Sequence, residues 1–222
     1  MKLLLTSNGL SNPSITDALF DLVGKKPADT IITFIPTASH TTNNDKGWLV
    51  NNLSNINKQG LKKFTITDIA VLEKEEILKR FEEADVLFWG GGGGVDYLLS
   101  CIDELGIQEH LPDLLQTRVW AGISAGSMVT NPTTGLSSRD LEMYYQDGAE
   151  YMKKPALNFV DLYIRPHYLS GSFSKITIEN FEPIAKEIDQ PIYMLDDMSA
   201  VKVDGDTVEV ISEGEYYIFN EK

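Results

Sequence analysis

The chain has 222 residues, 42% of them hydrophobic and 23% charged, which fits one globular core and leaves little for a second, so residues 1–222 are expected to form a single domain. Lys and Arg number 19 against 33 Asp and Glu, a formal net charge of −14. So acidic a surface repels phosphate backbones and anionic lipid, which excludes nucleic acid and membranes as expected partners. Cys101 is the sole cysteine, so no intrachain disulfide can form. With an opening MKLLLTSNG too short in apolar residues for a secretory segment, the expectation is a soluble, cytoplasmic protein.

In chain order, short apolar runs alternate with amphipathic stretches. Residues 2–6, 30–35, 63–67, 85–89 and 119–123 read as buried strands, and 15–23, 47–57, 73–83 and 96–115 as helices, the last broken near Gly106. Buried strands separated by helices predict a mainly parallel sheet covered on both faces. Further on, 157–164 and 191–195 read as strands and 174–188 as a helix. From about 200 to 220 the pattern alternates around Asp204-Gly205 and Glu213-Gly214, a hairpin signal. The expectation is an α/β three-layer sandwich with a C-terminal antiparallel extension and its site at the carboxyl ends of the strands.

Gly122-Ile123-Ser124-Ala125-Gly126 matches G-x-S-x-G, in which a serine sits on a sharp turn from strand to helix. The run RVWAGI before it suits a strand and AGSMV after it can open a helix. Ser124 is therefore the candidate nucleophile. A serine hydroxyl needs a base that titrates near neutrality, and histidine is the usual choice. Of the three histidines, His110 lies on an amphipathic stretch and His40 in a polar loop, whereas His167 follows the strand-like LYI in Arg165-Pro166-His167-Tyr168. His167 is the candidate base. The orienting acid is open on this reading: Asp140, Asp147 or Asp161 if it precedes the histidine, Asp196 or Asp197 if it follows.

Five successive glycines, Gly90 to Gly94, follow the strand DVLF and precede DYLL. Val95-Asp96 is not the Lys-Ser/Thr ending of a phosphate-binding loop, and Val95 also breaks a dinucleotide fingerprint. A loop whose bare N–H groups stabilise an oxyanion is the remaining functional reading. HExxH, paired CxxC and clustered His/Cys patterns are absent, so neither a metal nor an organic cofactor is expected.

Nearly the whole chain resembles the peptidase E family of serine peptidases, which includes α-aspartyl dipeptidases and, more distantly, cyanophycinases. LLLTSNG, FIPTAS, the glycine run with Asp96-Tyr97-Leu98-Leu99, GISAG, LNFVDLYIRPHY and YMLDDMSAVKV carry the resemblance. It implies an α/β fold like that of class I glutamine amidotransferases. It also implies Ser124 as nucleophile, His167 as base, and Gly93 and Ala125 as oxyanion donors. Asp197 falls where the family has its triad carboxylate, there typically Glu. Asp140 falls near another acid assigned to the family's charge relay and is the competing choice, with Asp196 adjacent to the first.

Three departures stand out. Gly94 replaces a usual Asn, the acid is one methylene shorter than Glu, and the Arg that aspartyl dipeptidases carry after the histidine is missing from SGSFSKITIENF. Lys175 and Arg165 are the cations available to a substrate there. The implied activity is hydrolysis of short peptides through an acyl-enzyme on Ser124. A related esterase or amidase, or a silent ligand-binding member, is the alternative.

Overall fold

The computed structural model describes residues 1–144 and 152–221. Strand β1 (Lys2–Thr6) leads to helix α1 (Pro13–Val23), then β2 (Ile31–Ile35), α2 (Gly47–Asn57), β3 (Lys63–Ile66), α3 (Lys74–Glu83) and β4 (Val86–Trp89). Next come α4 (Val95–Glu104), α5 (Leu111–Leu114), β5 (Val119–Ile123), α6 (Ala125–Met128) and α7 (Ser138–Tyr144). The chain closes with β6 (Tyr163–Arg165), α8 (Ile178–Ala185), β7 (Ile192–Leu195), β8 (Ser199–Asp204), β9 (Thr207–Ser212) and β10 (Tyr216–Phe219). Helix α1 shows how local chemistry draws the boundaries. Asn12 caps it by accepting the Ile15 N–H at 2.9 Å, Pro13 occupies its first position, and Gly24 ends it at φ 70°.

Seven strands form one sheet in the order β3-β2-β4-β5-β1-β8-β9, parallel from β3 to β1 and antiparallel beyond. Its inner strands β2, β4, β5 and β1 are apolar on both faces because both are covered, whereas the edge strands β3 and β9 are partly exposed. Leu3 and Leu5 enter one core with α3, α4 and α6, while Leu4 enters the opposite core with α1 and α2. Trp89 and Trp120, on neighbouring strands, stack at 4.3 Å between ring centroids beneath the glycine loop. The expected α/β architecture with its mainly parallel sheet is what the chain adopts. Among the described residues no helix is long and apolar enough to cross a membrane.

The second half departs from the expected elements for local reasons. Of the expected strand 157–164 only Tyr163 and Ile164 pair, in a strand that runs on to Arg165, because the N–H groups of Leu157, Asn158 and Phe159 bond instead to Val129, Asn131 and Thr130 just past α6. Helix α8 starts late, at the Thr177 cap, after a 3-10 turn at Gly171–Phe173. The Asp204-Gly205 hairpin forms between β8 and β9, but the chain past Glu213-Gly214 does not fold back on β9. Asp196 diverts it by accepting the Glu215 N–H at 2.6 Å, and β10 joins a second, three-stranded sheet of order β10-β7-β6.

Candidate active site

Ser124 joins β5 to α6 with φ 48° and ψ −105°, a conformation that residues with a β-carbon rarely hold. Its surroundings over-determine it. Its N–H bonds to Thr6 O at 3.0 Å, and its carbonyl accepts from Ser127 and Met128 at 2.9 and 2.8 Å. The flanking glycines are required by space. A β-carbon at Gly122 would lie 2.5 Å from the Gly126 carbonyl oxygen, and one at Gly126 would run into the Trp89 carbonyl, 2.7 Å from its carbon. The hydroxyl is thereby lifted to the carboxyl end of the sheet.

His167 reaches this hydroxyl from the end of β6. Its Nε2 lies 3.0 Å from Ser124 Oγ, and its Nδ1 lies 2.8 Å from Asp197 Oδ1. A carboxylate only accepts, so Nδ1 carries the proton and Nε2 is left to accept from the serine. His167 stands at φ 67°, and its N–H donates to Ser7 Oγ at 2.9 Å. The Ser7 hydroxyl in turn donates to the same Asp197 Oδ1 at 2.9 Å. Phe173 lies flat on the imidazole, 4.4 Å between centroids and 9° from coplanar. Burial acts to raise the Asp197 carboxyl, but the hydrogen bond and charge of His167, with the Ser7 hydroxyl, outweigh it and hold the group below the ordinary aspartate value.

The other acids have other employment. Asp140, the competing choice, does not face His167: it is fully buried and paired with Arg165, Oδ2 to Nε at 3.0 Å, while its Oδ1 accepts the Ser137 N–H. The same pair corrects the expectation for Arg165. Its guanidinium has no exposed surface and is paired with Asp140 inside the protein, where a substrate in solvent cannot reach it. Asp196 is spent on the turn between β7 and β8, where Oδ1 accepts from Met198 N and Ser199 Oγ. Asp161 is exposed ahead of β6, and Asp147 lies outside the described residues. His110 is exposed, and His40 faces Asp68 at 3.2 Å. Lys175 is exposed, two residues beyond Phe173.

The glycine loop runs from β4 to α4 against the 3-10 turn Thr37–Thr41. At Gly92, with φ 144°, a β-carbon would lie 2.7 Å from Ser39 Cα. Gly94 donates its N–H to Ala38 O, and a β-carbon there would lie 2.6 Å from Thr41 Cγ2. A β-carbon on Gly91 would be in contact with Ser124 Cβ, so the loop borders the serine. Gly93 is half-buried in this loop. Ala125 is the first residue of α6, and a first helical N–H has no partner within its helix.

Sequence reasoning missed Ser7 and Phe173. Ser7 follows β1 at the carboxyl end of the sheet, so the rule that singled out the other loops also covered it. Phe173 carried no such signal. Among the described residues no group of three or more His, Cys, Asp and Glu could hold a metal.

The sequence is similar to that of a protein described as a peptidase, and the fold to those of two solved structures so described. An uncharacterized peptidase of Pasteurella multocida (strain Pm70) is 25% identical over 210 residues, covering 93% of this chain and 95% of that protein. The crystal structure of a candidate peptidase E protein from Listeria monocytogenes EGD-e superposes with a TM-score of 0.75 at 22% identity, covering 96% of this chain and 98% of the other. A peptidase from an acI-B1 Actinobacterium gives 0.69 at 18%, covering 98% and 90%. The model of Peptidase family S51 matches residues 3–211, and with that span the chain belongs to this family of serine-type peptidases.

Proposed function

We propose that the protein hydrolyses short peptides, as a dipeptidase does, through an acyl-enzyme on Ser124. The observation that carries this reading is the unbroken hydrogen-bonded sequence from Ser124 Oγ through His167 to Asp197, at 3.0 and 2.8 Å, on a strained turn. Ser124 attacks the peptide carbonyl while His167 Nε2 takes its proton. Asp197 holds the imidazole's tautomer and offsets the imidazolium charge. The N–H groups of Ala125 and Gly93 receive the developing oxyanion. His167 then protonates the leaving amine, and a water deprotonated by the same ring releases the acyl group. Lys175 is the candidate for a cation facing substrate. The reducing cytoplasm is the proposed setting for its lone, buried thiol, Cys101.

A fluorophosphonate probe tests the mechanism. The wild type is expected to be labelled at Ser124, and Ser124→Ala and His167→Ala to lose nearly all labelling. Undiminished labelling of His167→Ala removes that residue from the reaction. Turnover of a dipeptide library, with simple esters and amides as controls, then decides the substrate class; ester hydrolysis without peptide hydrolysis overturns the dipeptidase reading.

A further inference from the structure

Arg165 and Asp140 form a fully buried ion pair immediately ahead of the base. Replacing such a pair by apolar residues of similar bulk is often neutral or stabilising, so burial alone gives little reason for charges here. Nor is the pair ideally bonded. Nε and Oδ2 stand at ion-pair distance, yet neither they nor Arg165 Nη2 makes a well-aligned hydrogen bond among the described residues. Its position is more telling. Arg165 is the last residue of β6, and only Pro166 separates it from His167. Asp140 lies on α7, and Tyr144 at the end of that helix donates its hydroxyl to Pro166 O at 3.1 Å.

One short helix therefore grips both residues that lead into the imidazole. Strand β6 needs such support, for among the described residues its only strand neighbour is β7. On its other edge the buried Asn131 takes the place of a strand, accepting the Ile164 N–H at 3.0 Å. His167 needs it too, because a left-handed backbone at a residue with a side chain persists only where its surroundings impose it.

We propose that α7 is a positioning element for the base, with Asp140–Arg165 and Tyr144–Pro166 setting the approach of His167 to Ser124. The proposal rests on the serine–histidine mechanism above. The test measures the rate of fluorophosphonate labelling, kcat, KM and melting temperature for two variants. Tyr144→Phe removes one hydroxyl and little else. The double variant Asp140→Leu/Arg165→Met exchanges the pair for apolar bulk, so that a merely structural pair would leave activity intact. Each variant is expected to lower labelling rate and kcat by about tenfold to hundredfold with KM nearly unchanged, because small displacements of a reacting group are costly. The melting temperature of Tyr144→Phe is expected to stay within about 2 °C of the wild type. Wild-type labelling rates in Tyr144→Phe and in the folded double variant overturn the proposal alone. A wild type that is not labelled at Ser124 brings down the peptidase mechanism and the proposal with it.

Discussion

In an Asp197→Asn variant both hydrogen bonds at the end of the relay survive. His167 Nδ1 and the Ser7 hydroxyl meet the same oxygen, Oδ1, at 2.8 and 2.9 Å. An amide with its nitrogen in the place of Oδ2 can still accept both, so the imidazole keeps its Nδ1–H tautomer and presents Nε2 to Ser124. What disappears is the charge that offsets the imidazolium. Two unit charges about 4 Å apart interact by about 4 kcal/mol at an effective dielectric near 20, and by about 1 kcal/mol in bulk water. The Asp197 side chain is 39% exposed, so solvent screens the pair. About 2 kcal/mol is the appropriate value, roughly a 30-fold loss of rate. Asp197→Ala removes the charge, both bonds and the control of tautomer together. Its loss is expected to approach the roughly 10⁴-fold that follows when a catalytic imidazole holds the wrong tautomer. Pseudo-first-order labelling by a fluorophosphonate near neutral pH measures both. Equal losses in the Asn and Ala variants would refute the single-oxygen argument, and near-wild-type rates in both would remove Asp197 from the relay.

Gly126→Ala forces a β-carbon into the Trp89 carbonyl and is expected to cost about 3 kcal/mol or more, lowering the melting temperature by about 6–12 °C. Gly171→Ala, with nothing within 4 Å, is expected to cost less than about 0.5 kcal/mol, and similar melting temperatures for the two variants would contradict the packing argument. Asp140→Asn leaves a buried guanidinium without its counter-charge, and urea unfolding is expected to show a loss of about 3–5 kcal/mol. An unchanged midpoint would show that the pair carries no such penalty. The depressed carboxyl of Asp197 makes a pH-dependent contribution of definite sign. Its stabilisation is fully present above the ordinary value of 3.8 and drains away as pH falls through the lower folded value. The stability gap between wild type and Asp197→Asn is therefore expected to close as the pH is lowered below 3.8; a gap that persists there counts against the assignment.

The first half of the fold was legible because its signals are local. Apolar runs such as LLL and VLFW are buried on both faces whatever their neighbours, and the helix 47–57 follows from spacing alone. The serine turn was equally legible, since Gly122 and Gly126 answer to contacts within the same turn or with the adjacent strand. The second half depends on contacts distant in sequence. Periodicity cannot show that residues 157–159 would be captured by the segment just past α6, or that Asp196 would divert the tail into another sheet. At the site, strand-end placement singled out Ser124 and His167, but the choice among acids turned on partners. Asp140 differs from Asp197 because Arg165 claims it, and a residue 25 positions away gives no such notice in sequence. Ser7 is a serine among polar residues until the fold brings His167 and Asp197 to either side of it.

Ser124 belongs to the large sheet, His167 to the small one, and Asp197 to the link between β7 and β8 that joins them. On the proposed mechanism, hydrolytic competence is thus a property of the seam and of neither sheet by itself. A nascent chain with residue 197 still inside the ribosome has its serine and its imidazole but no completed relay. On the proposed mechanism the serine is armed only once the two sheets have come together.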